Sequence, residues 1–191
     1  AEVRFLLPAQ GADPETVLEQ MMQPPHFPIR PSELRGALEF GSLEEGVHRI
    51  GAFEVLAREI PHKGGRTFGY RISEGGSSMA YLPDHGPVAL GAGDDGFGPV
   101  HDAALELAAG VDVLVHDGQY TAAEFAARAS FGHSAVDYAV TLAERAGARR
   151  LVLFHHDPSR TDDAEDALVE ELRPRTSIPL DAAAEGTSIR L

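Results

Sequence analysis

The chain has 191 residues, enough for one domain with a substantial core, and its 43% hydrophobic and 24% charged residues are those of a globular protein. It contains no cysteine, which excludes disulfides, thiolate metal sites and cysteine nucleophiles and leaves His, Asp and Glu as ligands for any transition metal. A formal charge of −14 repels polyanions unless a basic cluster or a metal supplies positive potential. No apolar run approaches the roughly 20 residues of a membrane span, and no signal-type segment opens the sequence, so a cytoplasmic location is expected.

In chain order, "AEVRFLLPAQG" reads as a strand over Val3 to Leu7, ended by Pro8 and Gly11. "DPETVLEQMM" carries an Asp N-cap and proline at the first helical position, which predicts a helix over residues 14 to 22. The prolines of "QPPHFPIRP" demand a loop. Short strands follow from Val47 to Ile60 and from Thr67 to Leu82, punctuated by Gly-Gly at 64–65 and 75–76. "GAGDDGFGP" is a turn.

Beyond it, "HDAALELAAG" leads as a helix into the strand "VDVLVHDG". Thr121 and Glu124 form a capping box at the head of "TAAEFAARAS". "GHSAVDYAVTLAERAG" is a helix with Ser134 as N-cap and Gly147 at its carboxyl end, leading into "ARRLVLFHHDP". Arg149 and Arg150 read as the cationic end of that helix. A last helix spans Asp162 to Leu172, and a weak strand closes the chain at Thr187 to Leu191. Unbroken apolar strands such as "VDVLV" and "LVLF" belong to a sheet covered on both faces. The expectation is a single α/β domain over residues 1–191.

Polar groups cluster at strand ends. His62 follows "REIP", Asp84 and His85 follow "MAYLP", His116 and Asp117 follow "VDVLV", and His155 and His156 follow "LVLF". Ligands collect at strand ends in α/β sheets because the loops there aim side chains into one crevice while the strands hold them still. Each residue alone reads as an ordinary hydrogen-bonded group; together they point to a metal centre, in which a carboxylate such as Asp84 bridges two ions where an imidazole cannot. His26, His48 and His101 have no such placement and read as structural or exposed.

The segments "EIPHKGGRTFGYRI", "MAYLPDH", "DVLVHDGQYTAAEF" and "FGHSAVDYAVTLAERAGARRLVLFHHDP" resemble, in that order, the carboxyl-terminal half of the metallo-β-lactamase-fold hydrolases. Within that superfamily they are most similar to the phosphodiesterase branch of ribonuclease Z and the phosphoribosyl cyclic phosphodiesterases. The resemblance implies an αββα sandwich, here without its N-terminal strands, and two divalent transition-metal ions, zinc first with manganese or iron as alternatives. It implies that His62 binds one ion, Asp84 bridges both and His155 binds the second. His133 of "GHS" would reach the scissile phosphate to stabilise its charge or protonate the leaving group, and His116 would support the ligands. His85 and His156 have no firm family role and read as supporting or exposed.

The family's His-x-His-x-Asp-His motif is absent, since no His-x-His occurs in the chain. Each ion would then keep two ligands from this chain, below the three usual for catalytic zinc. A fragment of a longer enzyme is the expectation, with a half-domain completed by another chain or a noncatalytic binding module as alternatives. Between His62 and Asp84 there is room for a hairpin but not for the RNA-binding arm of ribonuclease Z. With the negative charge, this favours a small, cyclic phosphodiester substrate over nucleic acid, with ester or lactone hydrolysis as the alternative chemistry. Partners beyond the substrate are expected to be a second copy, as in dimeric relatives, or a complementary N-terminal segment.

Overall fold

The computed structural model describes residues 2–191. Contacts divide the chain into two compact units, one ending at Glu45 and the other spanning Gly46–Leu191. In the first, β1 (Glu2–Pro8) pairs in parallel with β2 (Ala37–Leu43), and Phe5 stacks on Phe40 with ring centroids 5.4 Å apart. Helix α1 (Pro14–Met21) starts as expected, with the Asp13 carboxylate accepting from the Glu15 and Thr16 amides. The proline-rich stretch is turns and bends, closed by one 3-10 turn at Pro31–Glu33.

The second unit is built on a seven-stranded sheet in plain sequence order: β3 (Gly46–Ile50), β4 (Phe53–Ile60), β5 (Thr67–Glu74), β6 (Ser77–Leu82), β7 (Val113–Asp117), β8 (Leu151–Phe154) and β9 (Leu180–Ala182). Pairing is antiparallel from β3 to β6 and parallel from β6 to β9. Strand β4 therefore runs in the same direction as β6, β7 and β8. The carboxyl ends of these four strands lie along one edge; three of them precede His62, Asp84 and His155, and His116 and Asp117 are the last two residues of β7.

Helices α2 (Asp102–Ala108), α4 (Val136–Ala146) and α5 (Asp162–Leu172) pack with the sheet. They bury one continuous core containing Leu82, Leu107, Leu114, Tyr138, Leu142, Leu151, Leu153 and Leu172. Alternation along β7 and β8 sends Val113, Val115 and Val152 to a second, smaller cluster with Met79, Tyr81 and Phe154. Gly69 of β5 lets Leu107 and Leu82 pack closely on the strand, since a Cβ there would lie 2.8 Å from Leu107 Cδ1 and 3.1 Å from Leu82 Cγ. Helix α3 (Ala122–Arg128) opens with the expected Thr121–Glu124 capping box.

Three expectations are corrected. Helix α4 begins at Val136 with Ala135 as N-cap, not Ser134; the buried Ser134 hydroxyl instead donates to the His85 carbonyl at 2.5 Å. Arg149 and Arg150 do not serve the end of α4, which is closed by Gly147 in the left-handed conformation. They pair with Asp112 and Asp181, each at 2.8 Å. Residues 187–191 are exposed and form no strand, because the position beside β8 is taken by Leu180–Ala182.

Candidate metal centre

Four side chains from the strand-end edge converge. One donor atom from each of His62, Asp84 and His133 lies within 4.8 Å of the others, and His155 Nε2 is 3.0 Å from Asp84 Oδ1. The His133 ring centroid is 4.8 Å from that of His62 and 4.5 Å from that of His155. Asp84 thus shares its surroundings with the imidazoles of His62, His133 and His155. The residues expected as ligands meet in one place, and His133 stands among them.

Each imidazole is oriented from behind. His62 Nδ1 donates to the Gly132 carbonyl at 2.7 Å, which leaves Nε2 with its lone pair directed away from that bond. Gly132 has φ +97, and a Cβ there would sit 2.7 Å from the Lys63 amide nitrogen and 3.0 Å from His62 Nδ1. Only glycine brings its carbonyl to His62 in this way. His155 occupies the left-handed region at φ 59, the only non-glycine residue to do so among those described. Such a conformation persists where surrounding contacts enforce it.

Asp117 is the residue whose importance local pattern conceals. Its carboxylate is fully buried and accepts three N–H groups. Oδ2 takes His133 Nδ1 at 2.8 Å and the His85 amide at 3.1 Å, and Oδ1 takes the Gln119 amide at 3.1 Å. Burial opposes protonation of His133, but the hydrogen bond and charge of Asp117, with the charge of Asp84, outweigh it and raise the His133 pKa.

The other histidines sort by burial. His116 donates from Nδ1 to the Asp117 carbonyl at 2.7 Å and receives His85 Nδ1 at 2.9 Å. Both rings are fully buried. Burial lowers the pKa of each, for His85 with further help from His116 and His101, and for His116 against the opposing pull of Asp117. His101 stands at the N-cap of α2, its ring 5.7 Å from His85. His156 is engaged at both nitrogens, Nε2 donating to the Ala183 carbonyl at 3.1 Å and Nδ1 facing Glu165 at 3.0 Å.

An imidazole and carboxylate donor set suits a divalent zinc, iron or manganese ion, and His62, with Nδ1–H already committed to a carbonyl, is prepared as an Nε2 ligand. The residues present therefore fit such a group. Beside His62 a cavity of about 430 Å³ is lined by Lys63, Gly86, Val88, Ala89, Ala129 and Ser130, within the range of small-molecule sites.

A family model described as a beta-lactamase superfamily domain matches residues 12–156. Ribonuclease Z of Geobacillus kaustophilus (strain HTA426) is 36% identical over 105 residues, 53% of this chain and 33% of that protein. The chain therefore spans about a third of the length of this relative. The metallo-beta-lactamase fold protein YhfI from Bacillus subtilis superposes over 97% of this chain and 64% of its own with a TM-score of 0.69 at 16% identity. A diphosphatase from the PhnP family covers 100% of this chain and 59% of its own, with a TM-score of 0.65 at 18% identity. At these identities the superpositions establish the fold, a large sheet with helices of the metallo-β-lactamase type.

Proposed function

Because the chain belongs to the beta-lactamase superfamily, we propose that it acts as a metal-dependent hydrolase of small phosphodiesters. The observation that carries this reading is the convergence of His62, Asp84, His133 and His155 at one sheet edge. In this reading His62, Asp84 and His155 would hold two divalent ions, with Asp84 common to both, zinc by preference and manganese or iron as alternatives. Bound ions of this kind make a water more acidic and offset charge on phosphoryl oxygens.

The chain's own residues supply the remainder. His133, held through Nδ1 by Asp117, presents Nε2 to the substrate and delivers a proton to the leaving oxygen, a role suited to an imidazole whose protonated form is favoured. Asp117 fixes the tautomer and stabilises the imidazolium. Val88, Ala89 and Ala129 give the neighbouring cavity an apolar wall for the organic part of the ester, and Lys63 is a cationic residue of its lining.

Three observations support a small substrate. The β5–β6 hairpin fills the interval between His62 and Asp84. The formal charge is −14, and the cavity beside His62 matches a small molecule in size. Ribonuclease Z and a diphosphatase among the similar proteins support phosphate chemistry by their names.

The absence of any His-x-His favours a second reading, a binding module that uses the same edge without turnover. The test is to assay the metal-supplemented chain, joined to a segment that supplies the His-x-His-x-Asp-His ligands each ion still needs, against a 2′,3′-cyclic nucleotide, bis(p-nitrophenyl) phosphate, p-nitrophenyl acetate and a precursor transfer RNA. Hydrolysis of the small phosphodiesters, abolished in Asp84→Ala, is expected. Metal uptake with no turnover of any of them would favour the binding module, and cleavage of the RNA ahead of the small esters would overturn the substrate assignment.

A further inference from the structure

We infer that Gln119 is the positioning residue of His155, and that rotation of its side-chain amide selects which ring nitrogen of His155 carries the proton. The inference rests on the reading of His155 as a metal ligand. Gln119 lies two positions beyond β7, is 6% exposed, and is tied down at three points. Its amide N–H reaches Asp117 Oδ1 at 3.1 Å. Its carbonyl accepts from Arg160 Nη2 at 3.0 Å, and Arg160 is itself held by Glu165 and Glu124, each at 2.8 Å. Its Nε2 lies 3.0 Å from His155 Nδ1.

The proton positions follow from the partners. Asp84 Oδ1 is 3.0 Å from His155 Nε2, and a carboxylate accepts only, so Nε2 carries hydrogen. In a neutral ring Nδ1 then has the lone pair, and the Gln119 amide presents N–H to it. The order of donation is Gln119 to His155 to Asp84. A ligating imidazole needs the reverse arrangement, with the lone pair on Nε2 and Nδ1–H given to an acceptor. A primary amide serves both, because a half-turn about its last side-chain bond exchanges NH₂ and C=O at one location. The ring stays neutral in both arrangements, so its proton moves from Nε2 to Nδ1 and none is lost from His155. The left-handed backbone of His155 leaves the ring gripped by Gln119 on one side and Asp84 on the other.

The test uses the full chain, chelator competition for Zn²⁺, and nitrogen-15 imidazole shifts. Gln119→Met keeps the volume and removes both hydrogen-bonding groups; Gln119→Glu keeps the acceptor. The expected results are a zinc affinity weakened about 10- to 100-fold in Gln119→Met, and one retained or tightened in Gln119→Glu. In the wild-type chain, His155 shifts should pass from the Nε2–H form without zinc to the Nδ1–H form with it. Wild-type affinity in Gln119→Met, or a His155 already in the Nδ1–H form without zinc, overturns the inference. His155→Ala separates the layers. If it weakens zinc binding while Gln119→Met does not, the positioning role alone fails. If it leaves zinc binding unchanged, the assignment of His155 as a ligand fails and the inference falls with it.

Discussion

Replacing Asp117 by Asn tests the construction of the site most sharply, because the buried carboxylate has two oxygens and three N–H partners, the His85 and Gln119 amides in buried bonds and His133 Nδ1 in a half-buried one. An amide can accept at one position only. In its best orientation the Asn oxygen keeps His133 Nδ1 and the His85 amide, and its NH₂ is placed against the Gln119 amide. Leaving that donor unsatisfied costs about 1–3 kcal/mol, and the two retained bonds lose charge assistance worth about 1 kcal/mol each. Part of this is offset because a neutral group is easier to bury than a carboxylate. The net expectation is a loss of about 2–4 kcal/mol, measured by urea unfolding of wild type and variant with the m-value compared to verify a shared two-state transition. Against the 5–15 kcal/mol typical of a domain, the variant remains folded. A change below about 0.5 kcal/mol would refute the reasoning, since it would mean that the three N–H groups are not dependent on this carboxylate.

Further outcomes follow from other contacts. Gly132→Ala forces a side chain into the left-handed region, about 1–2 kcal/mol on its own, and against the Lys63 amide and His62 Nδ1; unfolding should show at least that loss and zinc affinity should fall with it. Leu142→Ala removes a fully buried side chain of α4 from the main core and should cost about 2–5 kcal/mol in the same assay. Burial opposes ionisation of Glu165, but its bonds and charge interactions with His156 and Arg160 outweigh this and hold the carboxyl below its ordinary 4.5. A depressed carboxyl stabilises the fold above the unfolded-state pKa and loses that contribution as pH falls through the folded-state value. Stability should therefore decline below about pH 4.5, and less steeply in Glu165→Gln; equal acid slopes would contradict this.

What the sequence revealed and what it concealed divide along physical lines. Signals confined to a few residues were legible: proline and Asp13 at the start of α1, the Thr121–Glu124 box, Gly147 closing α4, and the bounds of α5. So was the clustering of His and Asp after apolar strands, because strand direction alone gathers those ends at one edge. Features set by distant partners were not. Strand β9 has three residues and exists through its pairing with β8, and β2 through its pairing with β1. Ser134 has the composition of an N-cap, yet its hydroxyl is taken by a carbonyl 49 positions away. Asp117 and Gln119 gain their roles from His133 and His155, which no local spacing connects to them. The left-handed backbone of His155 has only a weak signature, since histidine enters that region more often than most non-glycine residues but still seldom; its neighbour His156, identical in type, faces Glu165 instead.

The most direct test of the metal centre is elemental mass spectrometry of the chain purified without chelator, wild type beside Asp84→Ala. The expected result is transition metal bound to the wild-type chain, approaching two ions per chain where further donors complete the site, and lost from the variant because Asp84 is the carboxylate beside both proposed imidazole ligands, His62 and His155. Metal content equal in the two proteins, or absent from both, would contradict a metal centre at this sheet edge.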